Sequence, residues 1–168
     1  GGHFCPVAKL MGDGPGSHEV VVAAKEVEFE MTPQQAEVCE ARGDTPELWF
    51  CRDLKGYAWV FRKGNFLNIG LGREDNHKLT EHLNAFVEEM KSEGRIPADL
   101  PGKFKGHAYL LYAHAERQLA DDGLLLIGDS AGLAYTQSGE GIRPAIESAL
   151  MAADIIRDQE DYSAQALQ

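Results

Sequence analysis

Residues 124–156 read LLLIGDSAGLAYTQSGEGIRPAIESALMAADII, and the fold class turns on them. Leu124 to Ile127 is a short, wholly apolar run after Asp121-Asp122-Gly123, which predicts a buried strand. Gly128 permits a tight turn. Asp129 then stands at the strand's carboxyl end, the edge at which open α/β sheets bind ligands. A helix is predicted from about Gly141. Ile142, Ala145, Ile146, Ala149, Leu150, Ala153 and Ile156 fall on one of its faces. Gly139-Glu140-Gly141 precede it. Glycine lets backbone approach a ligand closely, and a helix N-terminus offers N–H groups and the positive end of a dipole. An acceptor carboxylate and such a helix end suit a polyhydroxylated, electron-rich cofactor. The same residues also read as a structural strand–turn–helix with glycines for packing, and spacing alone leaves both readings open.

Upstream, the period is two. Val27, Phe29 and Met31 alternate with Glu26, Glu28 and Glu30, the pattern of a strand with one wet face. Thr32-Pro33 reads as an N-cap with Pro at N1, opening a helix to about Arg42 that Gly43 stops. Strands are predicted at Leu48 to Arg52, Gly56 to Arg62 and Phe66 to Leu71, the last two joined by the hairpin signal Lys63-Gly64-Asn65. Between His77 and Glu93 the period lengthens. Leu79, Leu83, Phe86, Val87 and Met90 recur at helical spacing and Gly94 ends the run. A Pro/Gly-punctuated loop from Pro97 to Gly106 leads to a strand at Tyr109 to Tyr112.

The chain has 168 residues, 27 acidic against 16 basic, for a net charge of −11. That balance repels polyphosphate backbones, so nucleic acid is not an expected partner. Cys5, Cys39 and Cys51 form no CxxC pair, which argues against a disulfide framework or structural zinc and for a reducing, cytoplasmic setting. Gly1-Gly2-His3-Phe4-Cys5-Pro6 shows no basic region followed by an apolar stretch, so it does not read as a signal peptide. His77 and His82 are five apart, poor spacing for one helical face, and no metal site is predicted. His107 and His114 flank the 109–112 strand without a carboxylate motif. Ser130 and Ser138 lack the GxSxG elbow. Gly12, Gly14 and Gly16 are mis-spaced for a dinucleotide fingerprint.

Gly128-Asp129-Ser130-Ala131-Gly132 followed by Gly139-Glu140-Gly141-Ile142 resembles the C-terminal flavin motif of the para-hydroxybenzoate-hydroxylase-like flavoproteins, and within them the geranylgeranyl reductase family. The resemblance implies that Asp129 binds the ribityl chain of FAD, with Gly128 and Gly132 shaping its turn. It implies that the Gly139–Ile142 backbone lies beside the isoalloxazine. The aromatic hydroxylases usually carry His where this chain has Gly132, which favours the reductase branch. Residues 56–63, GYAWVFRK, resemble the family's YxWxFPK strand, with Arg62 in place of Pro. Tyr57, Trp59 and Phe61 share one strand face by period two and either line an apolar substrate tunnel or belong to the core. Residues 1–9, GGHFCPVAK, resemble the segment where the family's chain leaves the flavin domain. That places Cys5 near a flavin by resemblance alone, while packing is its simpler role.

The expected fold is thus α/β (α+β): a mainly antiparallel substrate-domain sheet over residues 11–112, with residues 1–10 and 113–168 as parts of an FAD-binding domain. The strand–GxGxxG–helix that holds the ADP half of FAD is missing from the sequence. The implied function is the C-terminal part of an FAD-dependent oxidoreductase, a reductase of an apolar, prenyl-like substrate, with peripheral membrane contact compatible with such a lipid. The chain by itself is expected to be inactive, and no catalytic residue is assigned. A flavin monooxygenase fragment and a non-catalytic substrate-binding module are the competing readings.

Overall fold

Alternation along residues 21–30 does build a strand, and a sheet forms around it. In the computed structural model, residues 2, 4–12, 21–75, 78–101, 103–112, 118–136 and 138–158 are described. Gly14, Gly16, His77, His114 and the stretch from 159 onward, weighed above, lie outside them, as do residues 1 and 3. The chain divides into two units, Ala23–His107 and Gly1–Val22 with Ala108–Gln168.

The Ala23–His107 unit is built on β1 (Val21–Glu30), β2 (Glu47–Phe50), β3 (Gly56–Lys63), β4 (Phe66–Arg73) and β5 (Lys105–Leu110), in the order β2-β3-β4-β1-β5. The β1–β4, β3–β4 and β2–β3 pairs are antiparallel. Gly64, at φ +60, turns β3 into β4 so that Lys63 pairs with Phe66. Period two then sorts the side chains. Val27, Ala58, Val60, Leu67, Ile69 and Leu71 reach one face, where helix α3 (Leu79–Ser92) buries Leu79, Leu83, Phe86, Val87 and Met90 against them. Each such side chain, fully buried, contributes about 1.5–3 kcal/mol.

Helix α2 (Pro33–Val38) has the predicted start. The Thr32 hydroxyl accepts from the Gln35 N–H and the Gln35 side chain accepts from the Thr32 N–H, a capping box. Its end is a correction: it stops at Val38, not near Arg42. Cys39 turns extended, the Glu40 N–H donates to the Arg95 carbonyl, and Arg62 Nη1 donates to the carbonyls of Cys39 and Ala41. Tertiary bonds there outcompete helix propensity. A second correction concerns β5, which begins at Lys105, inside the stretch read as a loop.

One buried charge organises the end of the sheet. Arg73 is 2% exposed, and its guanidinium grips Asp53 (2.8 Å) and Asp75 (3.0 Å). Hydrogen bonds from Arg73, then from the Lys55 N–H, hold the Asp53 carboxyl well below its ordinary pKa, and Asp53 and Asp75 push that of Arg73 up.

In the other unit, α1 (Pro6–Leu10) buries Cys5 and Ala8 with Leu126 and Ala131. The run at Leu124 to Ile127 is shorter and wetter as a strand than the sequence suggests. Only β7 (Leu124–Leu125) pairs, with β6 (Ala120–Asp121), and only Leu126 is buried while Ile127 is exposed. A 3₁₀ turn at Gly128–Ala131 and helix α4 (Ile142–Asp158) follow. Among the described residues no helix is long and apolar enough to cross a membrane.

Candidate functional site

The turn after β7 is held to α4 by two close approaches. Gly128 sits at φ +55, and a methyl group there would lie 2.9 Å from the Ala145 Cβ. Its N–H donates to the Ser148 hydroxyl (3.1 Å), which itself donates to the Pro144 carbonyl. Asp129, next in the chain, is exposed, and none of the described residues donates a hydrogen bond to its carboxylate. Its Oδ1 lies 2.9 Å from the position a Cβ would take on Gly141. Asp129 and the start of α4, twelve residues apart in sequence, are thus brought together, and only glycine fits at 141 without displacing that carboxylate.

The loop before α4 closes on itself. The Gly139 N–H donates to the Tyr135 carbonyl (2.7 Å), and the Tyr135 N–H donates to that of Glu140 (3.0 Å). Gly139, at φ +64, lies against the ring of Tyr109, whose hydroxyl a Cβ at 139 would strike. Tyr109 packs with Val22, Leu111 and Ala134. Sequence reasoning passed over it, since an aromatic near a strand end carries no motif. The helix end also differs from the expectation. The Arg143 N–H donates to the Glu140 carboxylate (2.7 Å), so the chain caps part of α4 itself, and Pro144 has no N–H to offer. The N–H groups of Gly141 and Ile142 have no acceptor among the described residues. Arg143 is in turn paired with Glu147, whose hydrogen bond raises its pKa.

Gly128, Asp129, Gly132, Gly139, Glu140, Gly141 and Ile142 therefore share one locality: an exposed carboxylate, a closed glycine loop and the mouth of a helix. Such a surface accepts hydroxyl donors at Asp129 and offers backbone N–H groups and a positive dipole end beside it. Next to it, Leu125, Ile127, Leu133, Pro144, Met151 and Ile155 help line an apolar cavity of about 440 Å³.

Tyr57, Trp59 and Phe61 belong to the Ala23–His107 unit. They stand on one face of β3 with ring centroids 5.9 and 6.3 Å apart, and Phe50 of β2 extends the row at 6.4 Å. Trp59 is buried, the other two are half-buried. Its indole covers Gly70, where any side chain would overlap it, and its Nε1–H donates to Asn68 Oδ1 (2.7 Å). Asn68 in turn donates to the Glu26 and Glu28 carboxylates. With the indole N–H satisfied, the row presents carbon surface. The Asn68 link was missed because a lone Asn on a strand has no sequence signature.

Cys5 and Cys39 are buried and Cys51 half-buried, and no disulfide joins them. His82 is half-buried and His107 exposed. No group of three or more metal-ligating side chains occurs among the described residues.

No protein-family model matches the chain. It is 35% identical over 112 residues to the digeranylgeranylglycerophospholipid reductase of Methanocaldococcus jannaschii, covering 65% of this chain and 28% of that protein. It is 31% identical over 179 residues to digeranylgeranylglycerophospholipid reductase 1 of Methanosphaera stadtmanae, covering 94% and 42%. The fold is shared with a geranylgeranyl bacteriochlorophyll reductase-like protein of Thermoplasma acidophilum (TM-score 0.65, 24% identity, 88% of this chain and 37% of the other). It is shared also with CmlS, a flavin-dependent halogenase (TM-score 0.57, 18% identity, 94% and 30%). The chain spans well under half the length of these relatives. It is a relative, over that part of their length, of the geranylgeranyl reductase-like flavin-dependent oxidoreductases.

Proposed function

We propose that this chain supplies the flavin-facing segment and the substrate sheet of an FAD-dependent reductase acting on a prenyl-type lipid. The observation that carries the reading is the Asp129 carboxylate lying exposed against Gly141 at the mouth of α4. The residues fit the cofactor. Asp129 would hold the ribityl hydroxyls, and the Gly139–Ile142 backbone would lie beside the ring. The open N–H groups of Gly141 and Ile142 would favour negative charge on it. Bound flavin supplies hydride transfer; the protein orients it and keeps water out. Tyr57, Trp59 and Phe61 are assigned to the apolar substrate.

Two further observations support a larger parent protein. The apolar face of α4 is exposed at Ile142, Ile146, Leu150, Met151 and Ile156, and the cavity beside it is apolar. Both are surfaces that a neighbouring part of a longer chain would cover. We therefore expect the 168-residue chain to purify colourless and the full-length protein to purify yellow.

The test is Asp129→Ala in the full-length protein. A charge-assisted hydrogen bond is worth roughly 1.5–3 kcal/mol, so FAD affinity should fall about 10- to 150-fold with the apoprotein melting unchanged. If Asp129 merely caps the turn, melting falls and affinity does not. The likeness to a halogenase keeps an oxygen-using flavoenzyme as the second reading. Oxygen uptake by the reduced full-length protein separates the two, a reductase consuming little.

A further inference from the structure

The loop that carries Gly139, Glu140 and Gly141 rests on strand β5, and one side chain of that strand reaches its first glycine. A Cβ built on Gly139 would lie 2.5 Å from the Tyr109 hydroxyl oxygen, 2.9 Å from its Cε2 and 3.1 Å from its Cζ. The phenol tip therefore fills the place that any other residue's side chain would need. Gly139 also stands at φ +64, a conformation in which a Cβ is strained. Glycine is thus required there twice, once by the backbone and once by Tyr109.

The bonds that close the loop are internal, Gly139 N–H to the Tyr135 carbonyl and Tyr135 N–H to that of Glu140. They fix its shape and not its place. The place comes from β5 and the residues just after it. The Tyr112 N–H donates to the Ala134 carbonyl (2.9 Å), and Leu111 forms a parallel bridge with Ala134, which anchors the start of the loop. Tyr109, packed with buried Val22, Leu111 and Ala134, supports the far end at Gly139. From there the chain passes Gly141, which lies against the Asp129 carboxylate, and enters α4. A planar ring suits this task, being rigid and long enough to set its tip under a residue that has no side chain.

We infer that Tyr109 is a positioning residue for the flavin: its ring holds the Gly139–Ile142 backbone in the fixed orientation from which the Gly141 and Ile142 N–H groups favour negative charge on the reduced cofactor. This rests on the flavin reading above and adds to it a residue outside the glycine motif. Dipoles stabilise charge only while they stay oriented, so a loosened loop weakens the hold on reduced flavin more than on oxidised flavin.

The midpoint potential of the flavin in the full-length protein, measured by equilibration with a reference dye, tests it. Tyr109→Ala should lose at least about tenfold in the preference for reduced over oxidised flavin, a fall of about 30 mV for a two-electron couple. Tyr109→Leu, which keeps most of the volume but not the tip that meets Gly139, should fall in the same direction if the alanine variant does not fold. Tyr109→Phe keeps the ring and should match wild type. Gly139→Ala should also lower the potential, and the double variant Gly139→Ala with Tyr109→Ala should fall no further than the larger single loss, because the two residues act through one contact.

Variants at Tyr109 that melt lower than wild type yet keep its potential overturn the inference and leave the tyrosine as packing alone. So do additive losses in the double variant, or a Tyr109→Phe potential as low as that of Tyr109→Ala, which would move the role from the ring to the hydroxyl. A full-length wild type that binds no flavin overturns the reductase reading and this inference with it. Bound flavin whose affinity falls in Asp129→Ala, with potentials unmoved at Tyr109, overturns this inference alone.

Discussion

Helices α3 and α4 have the same kind of sequence and opposite fates. Both repeat large apolar residues at three- and four-residue spacing, and both are strongly amphipathic by that measure. In α3 the stripe is buried throughout; in α4 the only buried residue is Pro144. The difference lies in what each unit supplies. The Ala23–His107 unit has a sheet face of Val, Leu and Ile for α3 to cover. The other unit has a two-residue strand pair and small clusters around Cys5 and Val22. Periodicity tells which face of a helix seeks burial; whether burial happens depends on a partner layer.

The largest effect should come from truncating the same residue type in the two helices. Leu83 is 1% exposed and Leu150 is 62% exposed. Leu83→Ala removes a core side chain and should cost about 2–5 kcal/mol, while Leu150→Ala should stay within about 0.5 kcal/mol. Denaturant unfolding of the 168-residue chain measures both. Both tryptophans, Trp49 and Trp59, belong to the Ala23–His107 unit, so their fluorescence follows that unit alone. It should melt after the helical circular-dichroism signal begins to fall, because α4 lacks buried contacts. Coincident transitions, or equal costs at 83 and 150, would erase the contrast between the units.

Next in size is a glycine that makes room for an aromatic. Gly70 lies under the Trp59 indole with no space for a methyl group. Gly70→Ala should cost about 1–3 kcal/mol by overpacking and should shift the tryptophan emission. It should leave α4 untouched. An unchanged spectrum would mean the row is loose, and its use as a substrate surface would lose its rigid floor.

Much of the sheet could be read in advance because its signals are local. The Glu/Val/Phe alternation of β1, the Gly64-Asn65 turn and the stripe of α3 each depend on neighbours in sequence. The flavin-facing residues were legible for a different reason: Gly128, Asp129 and Gly141 are types that few other positions require. What could not be read is long-range. Helix α2 ends at Val38 because Arg62 and Arg95 draw residues 39–41 away. Tyr109 matters because Gly139 lies against it, and Arg73 because two turns bring aspartates to it. Leu124 to Ile127 reads as buried by composition, yet composition cannot say whether a second layer is there to bury it.

The smallest effect, and the most selective, concerns pH. Asp53 has its pKa lowered in the folded chain, chiefly by hydrogen bonds from Arg73. A group of this kind binds its proton less readily folded than unfolded. Its stabilising contribution is therefore complete above the ordinary carboxyl pKa of 3.8 and is lost as pH falls below it. Asp53 is 45% exposed at its side chain, so solvent screens the pair and the increment is modest. Asp53→Asn should then unfold more readily than wild type at neutral pH, and the gap should narrow as the solution is acidified below 3.8. Tryptophan fluorescence is the proper readout, since Asp53 lies in the unit that holds both tryptophans. The signal of α4 should show no such pH-dependent gap, because Arg143–Glu147 and Arg157–Asp154 on that helix are exposed surface pairs that Asp53 does not join. A gap that widens in acid would mean that Asp53 repels more than it binds, and the turn between β2 and β3 would have to owe its shape to its backbone bonds, Leu54 N–H to the Cys51 carbonyl and Cys51 N–H to that of Gly56.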